Sequence, residues 1–434
     1  VAGVLRFYGC KIFVDAFSVF CNHVKVLSIG ADMDISIRRF RGADGERFSV
    51  LVDGQGMPLF YPTLFATWVL RARSLAANSI TNALNALKAF CAWEAHSGLS
   101  VESMLSRSEL LDQNQIRDLC DFLQRSLLAD KKQKVTPIKK KLKVVGVSVH
   151  YFRLSIVASY LEFLAHRQAP GVDDERIKKM VEAIKAHRPS KPQKSSQDRD
   201  EIHLTNDVLQ VIEDALRPDA PNNPAKQYGV QLRNALVFFI LKLTGIRRGE
   251  LLNLRISDFD FGANTMSVVR RPDSIADMRK HQPTVKTLPR RLRIHPELMK
   301  RVYEYVSKQR IKVPGARRHD FLFITHKSGP TEGAPLSIGA FGKWMGALGD
   351  LVEGAGFHAH ALRHNWNYEF SRIAEERGMS PEEEEKTRSY WMGWSETSGT
   401  AATYNVRRTK EKAQKAGLEL QERYISREPG AGDE

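Results

Sequence analysis

The stretch LTGIRRGELLNL, residues 243–254, joins an apolar segment to a short polar turn. The preceding residues 234–243 are strongly apolar and predict a buried helix. Gly245 ends it, and Arg247 follows directly, so its guanidinium is held at the end of a buried element. Glu250 comes three residues later. The two charges either tie the turn down as a structural ion pair or hold a functional arginine in place.

A second stretch, HAHALRHNW at residues 358–366, contains three histidines and an arginine and allows two interpretations. His360 and His364 are one helical turn apart, with His358 nearby, which is the spacing of a zinc site. Alternatively, the planar fork of Arg363 could donate two parallel hydrogen bonds to a phosphodiester, a geometry that lysine cannot offer. The stretch alone leaves both interpretations open.

Length and charge narrow the class of protein. The chain has 434 residues, enough for two or three domains with cores of their own. With 66 Lys and Arg against 50 Asp and Glu, its formal net charge of +16 favours a polyanionic partner, either nucleic acid or an anionic membrane surface. No run of eighteen or more uninterrupted apolar residues is present, so the sequence predicts a protein without a membrane partner.

Cysteine usage predicts the redox environment. The four cysteines form no close metal-ligand pair and are too sparse for a disulfide scaffold, which fits a reducing, cytoplasmic compartment. They are Cys10, Cys21, Cys91 and Cys120.

The first part of the chain is predicted to be helical after one hairpin. Residues 1–47 are left unassigned. FSVLVDGQGMPLF, residues 48–60, alternates around an Asp-Gly turn and predicts a β-hairpin. Two helices follow, one capped by Asn78 and ending at Gly98, and one opening at Ser148. The apolar stripe of the first helix consists of Ile80, Leu84, Leu87 and Cys91.

A lysine-rich segment lies between these helices. KKQKVTPIKKKLK, residues 131–143, has seven lysines and no acidic residue. It is either a solvated loop or a loop that contacts a DNA backbone through Lys139, Lys140 and Lys141. The net charge of the chain favours the DNA contact.

A linker is predicted at residues 187–201, which contain two prolines, several small polar residues and no large apolar residue. It divides a helical domain, residues 48–186, from a second domain, residues 202–434. A helix at 207–216 opens the second domain.

The second domain is predicted to be mainly helical with a small antiparallel sheet. RISDFDF and TMSVVRR, residues 255–261 and 265–271, flank a Gly-Ala-Asn turn and form a hairpin, to which RRLRIH at 290–295 adds a third strand. Helices dominate after the sheet. The acidic run 382–385 is expected to be a solvated helix start, because carboxylates favour the positive end of the helix dipole.

Six residues, in this order along the chain, resemble the active-site series of the tyrosine recombinases, also called the phage integrase family. They are Arg247, Lys286, His360, Arg363, Trp394 and Tyr404. The resemblance covers residues 200–420, and more weakly 60–170, which is similar to the family's core-binding domain. It implies a multidomain protein with an all-α, SAM-like core-binding domain before a mixed α+β catalytic domain that is mainly helical.

The sequence departs from the family pattern at two points and leaves a third undecided. Trp394 stands where most members have histidine, and the interval from Trp394 to Tyr404 is one residue longer than usual. Lys286, in a turn before a strand, matches the family's lysine, with Lys280 as a rival. Tyr390 and Tyr424 are rivals of the nucleophile. Tyr390 is expected in the core, and Tyr424 in a charged C-terminal helix.

The chemistry of these residues is coherent with cleavage of a phosphodiester. A tyrosine hydroxyl such as that of Tyr404 is a weak nucleophile, and the diester's charge repels it. Arg247 and Arg363 would hold both non-bridging oxygens and neutralise that charge. Glu250 would orient the arginine site.

The remaining residues would move protons or position the phosphate. His360 suits proton exchange with the tyrosine, because the unperturbed pKa of a histidine lies near working pH. Lys286 would protonate the departing 5′ oxygen, and Trp394 can donate an indole N–H but cannot titrate. His364 is expected to be packed and hydrogen-bonded, supporting Arg363.

This series of residues favours the phosphate interpretation of the stretch 358–366 over the zinc interpretation. Zincins place a catalytic Glu beside the first histidine of their helix, and Ala361 occupies that position here. No metal and no cofactor is therefore expected, and His358 is expected at the surface or at a hinge.

The sequence thus predicts a site-specific recombinase that cleaves and rejoins double-stranded DNA through a 3′-phosphotyrosine. The expected assembly is a tetramer on paired DNA sites, weakly associated or monomeric without DNA, with accessory proteins possible. We expect a nucleoid-associated protein, encoded by a bacterium or a mobile element. The alternatives are a type IB topoisomerase-like nicking-closing enzyme and a catalytically idle DNA-binding protein of the same fold.

Overall fold

A computed structural model describes residues 34–73, 75–127, 143–190, 204–395 and 412–423. Contacts between residues divide the chain into two compact units. The first comprises residues 1–40 and 48–192, and the second comprises residues 41–47 and 193–434.

The first unit is a helical core preceded by two strands. The strands are β1 (Ser36–Arg41) and β2 (Arg47–Val52), and the helices are α1 (Phe60–Phe65), α2 (Ala77–Ser97), α3 (Val101–Ser106), α4 (Gln113–Leu123), α5 (Val147–Gln168) and α6 (Asp174–Ala186). A π-helical turn, Ala66–Arg71, follows α1. Trp93 is fully buried in this core, and its indole N–H donates to Asp118 at 2.7 Å.

The hairpin predicted at residues 48–60 is wrong in its partner strand. β2 pairs with β1, which lies in the segment left unassigned from the sequence. After β2 the Asp53 carboxylate accepts the amides of Gln55 and Met57, and only an isolated bridge to Pro58 follows before α1 begins. Proline has no N–H to continue a ladder. The expectation of an all-α first domain is not confirmed, because these two strands precede its helices.

The helices of the first unit follow the predicted apolar pattern. Ile80, Leu84 and Leu87 are buried on one face of α2. The helix ends at Gly98, which adopts the left-handed conformation with φ of 70°, as the sequence predicts. Its start differs, because the N-cap is Ala76 and not Asn78.

The second unit is mainly helical. Its helices are α7 (Asn206–Ala215), α8 (Tyr228–Thr244), α9 (Arg248–Leu251), α10 (Pro296–Glu304), α11 (Ile338–Gly349), α12 (Ala359–Glu376) and α13 (Pro381–Met392), and residues 412–423 are also helical. Short 3-10 or π turns lie at Ile256–Asp258, Tyr305–Gln309, Arg310–Lys312, Ala316–Arg318 and Asp350–Val352. Within the described ranges, no helix has both the length and the apolar character that crossing a bilayer requires.

The predicted three-stranded sheet is present, with shorter strands. β3 (Phe259–Asp260), β4 (Thr265–Val268) and β5 (Arg290–Arg293) pair antiparallel in that order. The side chains of β5 alternate between the core and solvent, with Arg290 and Leu292 buried. A buried arginine therefore begins the third strand.

The acidic run 382–385 is only partly solvated. Glu382 and Glu383 are exposed as predicted, but Glu384 is buried and pairs with the buried Arg388. Both contact the hydroxyl of Ser371, which donates to Glu384 at 2.8 Å. These three residues, termed the Ser371 network, join α12 to α13.

Candidate active site

The C-terminal end of α8 binds side chains from the two helices that carry or precede the predicted site residues. Gly245 takes the left-handed conformation there with φ of 63°, and a Cβ at this position would lie 2.8 Å from Met392 Cε. The carbonyls of residues 243–245 each accept a hydrogen bond from a side chain of α12 or α13. In order, the donors are Nε1 of Trp366 at 3.1 Å, Nε1 of Trp391 at 2.9 Å and Nη1 of Arg363 at 2.7 Å. These bonds fix α12 and α13 on the helix end.

Arg363 is therefore a buried and oriented cation. Its side chain is 1% exposed, one arm of the fork is bound to Gly245, and its Cζ lies 5.3 Å from the ring centroid of Trp394. Trp394 is itself buried, and its backbone amide donates to Ser389 at 2.9 Å after the left-handed Gly393. The structure thus brings the predicted Arg363 and Trp394 together.

Arg247 lies two residues beyond the carbonyl that holds Arg363. It is the N-cap of α9, and its backbone amide donates to Oε2 of Glu250 at 2.9 Å. Its Nη1 is 3.7 Å from Oε1 of the same carboxylate, and 32% of its side chain is exposed. The predicted Arg247–Glu250 pair therefore exists. Part of the Arg247 side chain stays accessible.

His360 lies beside both arginines, in the first turn of α12. Desolvation and the positive charges of His364, Arg363, His358 and Arg247 together lower the pKa of His360 to about 4. The His360 ring packs edge-on against that of His364, with 4.3 Å between centroids. The imidazole is consequently neutral at pH 7 and can accept a proton.

His358 has a different role from its two neighbours. It is exposed, as predicted, and caps α12, because its Nδ1 accepts the amide of Ala361 at 2.9 Å. Among the residues that the structure describes, no group of three His, Cys, Asp or Glu side chains is placed to hold a metal ion.

A buried network supports the site, and it contains a residue that the sequence analysis missed. Glu250, which is 1% exposed, accepts the Thr287 hydroxyl at 2.6 Å and Nη2 of Arg290 at 3.0 Å. Arg290 also donates Nη1 to Thr287 at 3.0 Å and Nε to the carbonyl of Trp391. We term Glu250, Thr287 and Arg290 the Glu250 network. The alternation of β5 is the signal that could have placed Arg290 inward.

The Glu250 network keeps its carboxylate ionised. Burial alone would raise the pKa of Glu250. The charge of Arg290 and hydrogen bonds from Arg290, Thr287 and the Arg247 amide outweigh burial and lower the pKa below its ordinary value. The site therefore holds a negative charge beside Arg247 at neutral pH.

The lysine is the least defined member of the predicted series. Lys286 and Lys280 are both exposed, and no hydrogen bond or ion pair of either is found among the described residues. Lys286 follows the buried Val285 and precedes the buried Thr287, so its backbone is anchored on both sides.

Several predicted residues lie outside the described ranges. They are Tyr404, Tyr424, Lys139, Lys140 and Lys141. The expectation that Tyr390 is a core residue is wrong, because 65% of it is exposed. Trp391 takes the inward position and stacks on Trp366, with 5.6 Å between ring centroids.

Comparison with known proteins finds a family model that matches part of the chain. Residues 203–410 match the model of the phage integrase family. No curated protein sequence matches the chain. Among solved structures, the chain is similar to the XerA recombinase, with 15% identity over 86% of this chain and 99% of that one, and a TM-score of 0.33.

Two further structures are similar at the same low level. One is the XerH site-specific recombinase bound to palindromic difH substrate, with 15% identity, a TM-score of 0.38, and coverage of 70% of this chain and 84% of that one. The other is the Tn1549 transposon integrase with circular intermediate DNA, with 16% identity, a TM-score of 0.38, and coverage of 60% and 75%. At these values the structures add nothing to the family match. The similarity of this chain to the phage integrase family therefore rests on the match of residues 203–410.

Proposed function

We propose that this chain is a site-specific DNA recombinase that cleaves and rejoins duplex DNA through a covalent 3′-phosphotyrosine at Tyr404. One observation carries the proposal. Arg363 and Arg247 meet at the end of α8, one bound to Gly245 and the other two residues beyond it, beside the neutral His360. This grouping suits a phosphodiester.

The two arginines would bind the non-bridging oxygens of the phosphate. Arg363 is held by the Gly245 carbonyl and by packing on Trp394, so the direction of its guanidinium is fixed. Arg247 is fixed by Glu250 and stays partly exposed. A preorganised donor of this kind contributes about 3 kcal/mol to transition-state stabilisation. The clamp would neutralise the charge that repels an incoming tyrosine.

Protons would move between His360, Tyr404 and Lys286. The Tyr404 oxygen attacks phosphorus and gives its proton to the neutral His360, while the bond from phosphorus to the 5′ oxygen breaks and Lys286 protonates that oxygen. Rejoining reverses these steps. The phosphotyrosine retains the energy of the cleaved linkage, so the scheme requires no nucleotide and no metal.

Double-stranded DNA is the proposed partner, and the net charge of +16 supports it. Lys139, Lys140 and Lys141 are proposed to contact its backbone. We expect a tetramer on paired DNA sites that is weakly associated or monomeric without DNA, with accessory proteins possible. Footprinting on DNA that flanks the chain's own gene would identify a site.

The experiment is a trapping assay on that site. A nicked duplex that loses a short 5′ fragment after cleavage should leave a covalent complex that survives SDS, and the complex should form in EDTA. Tyr404→Phe should abolish the complex while DNA affinity stays within about threefold, or ~0.6 kcal/mol. The matched control is Tyr390→Phe, which changes an exposed tyrosine of the same unit and should leave trapping intact.

Each outcome separates the proposal from an alternative. Trapping that persists with Phe at 404 and is lost with Phe at 390 would reassign the nucleophile. DNA binding without any adduct would indicate an idle binding protein. Relaxation of supercoiled DNA by the chain, without strand exchange between two sites, would indicate a topoisomerase-like enzyme.

A further inference from the structure

The Glu250 network joins three segments that carry predicted site residues. Glu250 accepts the amide of Arg247. Thr287 follows Lys286 directly and donates to Glu250. Arg290 bonds to both and also to the carbonyl of Trp391, three residues before Trp394. The turn that carries Arg247, the segment that carries Lys286 (termed the lysine segment) and the end of α13 are thus all connected to the buried guanidinium of Arg290.

The backbone around Gly393 closes the same junction. The amide of Leu288 donates to the Gly393 carbonyl at 2.9 Å. A Cβ at Gly393 would lie 2.7 Å from Nη1 of Arg290 and 3.0 Å from Cβ of Thr287. Only glycine therefore lets the end of α13 approach the lysine segment this closely.

We propose that Arg290 is a positioning residue that sets Lys286 against the scissile phosphate held by Arg247 and Arg363. The proposal rests on the proposed function. It adds a residue outside the predicted active-site series, and it assigns Lys286 the lysine role over Lys280 because Lys286 is the one anchored by Thr287.

The geometry explains why an arginine is required. The side chain donates through Nε, Nη1 and Nη2 to three acceptors that lie on different segments. A lysine ammonium at the end of a flexible stem cannot reproduce this planar set of directions. Arg290→Lys should therefore keep the charge and lose the positioning.

The test uses a substrate that does not need a protonated leaving group. In a 5′-bridging phosphorothiolate, sulfur replaces the departing 5′ oxygen. A thiolate leaves without a general acid, because the pKa of a thiol is lower than that of a hydroxyl. With saturating ordinary DNA, Arg290→Lys should slow adduct formation about 100-fold, the scale expected for a displaced catalytic group. With the sulfur substrate, the rate of adduct formation by the same variant should be within about threefold of the rate of the unaltered chain.

Two further variants complete the test. Thr287→Val removes the hydroxyl at nearly constant shape. It should slow adduct formation on ordinary DNA by less than Arg290→Lys does, and the sulfur substrate should restore the rate. This variant tests the proposal if Arg290→Lys does not fold. Arg291→Met removes an exposed arginine from the same strand and should leave both rates unchanged.

The outcomes are distinct. Equal slowing on both substrates in a folded Thr287→Val or Arg290→Lys variant, or no slowing on either, would overturn the proposal. Sulfur rescue of Lys280→Ala and not of Lys286→Ala would overturn the choice of lysine. Failure of the unaltered chain to form any adduct would count against the proposed function instead.

Discussion

Two buried ion-pair networks in the same unit have nearly the same chemistry and different connectivity. The Ser371 network and the Glu250 network each combine a buried arginine, a buried glutamate and a hydroxyl. The first is local, with its ion pair between residues four apart on α13. The second joins Glu250 to Arg290, which is 40 residues away, and Arg290 to Trp391, a further 101 residues along the chain.

The difference shows that burial of an ion pair does not by itself indicate function. Breaking either pair leaves an uncompensated buried charge and costs about 3 to 5 kcal/mol of stability, whatever the pair does. The Glu250 network differs because its members touch three segments that carry site residues. The Glu250 network is therefore distinguished from the Ser371 network by the segments that it connects, and not by its burial.

The largest expected effect comes from neutralising each glutamate. Glu250→Gln and Glu384→Gln should each lower the free energy of unfolding by about 3 kcal/mol, because a buried guanidinium loses its counterion. Only Glu250→Gln also loosens Arg247, so at a temperature where both variants are folded it should slow adduct formation about 100-fold. Glu384→Gln should stay within a factor of about three. Equal slowing by both would erase the functional distinction between the networks.

Two glycines provide a smaller and more local comparison. Gly393 and Gly378 both have positive φ, 67° and 64°, so alanine costs about 1 to 2 kcal/mol of strain at either position. A Cβ at Gly378 meets no atom within 4 Å, whereas one at Gly393 meets Arg290. Gly393→Ala should therefore slow adduct formation by about tenfold at equal DNA occupancy. A rate for Gly378→Ala as low as that for Gly393→Ala would show that helix-end strain alone is responsible.

The smallest effect is expected when the local network is replaced as a whole. The triple variant Ser371→Ala, Glu384→Leu, Arg388→Met removes every charge together, which leaves no unpaired partner and should change the free energy of unfolding by less than about 1 kcal/mol. Adduct formation should stay within about twofold. Thermal and denaturant unfolding measure the first quantity. A loss of trapping in a stable triple variant would give the Ser371 network a role in the reaction.

Local patterns predicted most of the fold. Apolar periodicity gave the helix from Ala77 to Ser97, and alternation with a Gly-Ala-Asn turn gave the three-stranded sheet. β1 was missed because SIRRFR carries four polar or basic residues, three half-buried and one exposed, and no clear alternation. The hairpin was given the wrong partner because turn chemistry at Asp53 indicates a reversal and does not reveal which strand completes the sheet.

The site was predictable where residue type alone carries the chemistry. Arg247, His360, Arg363 and Trp394 were predicted and lie around the end of α8. Arg290 was not, because in RRLRIH it resembles its exposed neighbours, and its partners lie far away in sequence. Tyr390 was misplaced for a related reason, since next to Trp391 only the helix phase decides which ring faces inward.

The hydrogen bond from Arg363 to Gly245 spans 118 residues of sequence. The phosphate clamp proposed for Arg247 and Arg363 forms only when α12 has docked on α8. A contact of such long range carries a large loop-closure entropy, which slows its formation during folding. A partly folded chain in which α12 has not docked on α8 would therefore lack the proposed phosphate clamp, and the proposed cleavage would be confined to fully folded copies.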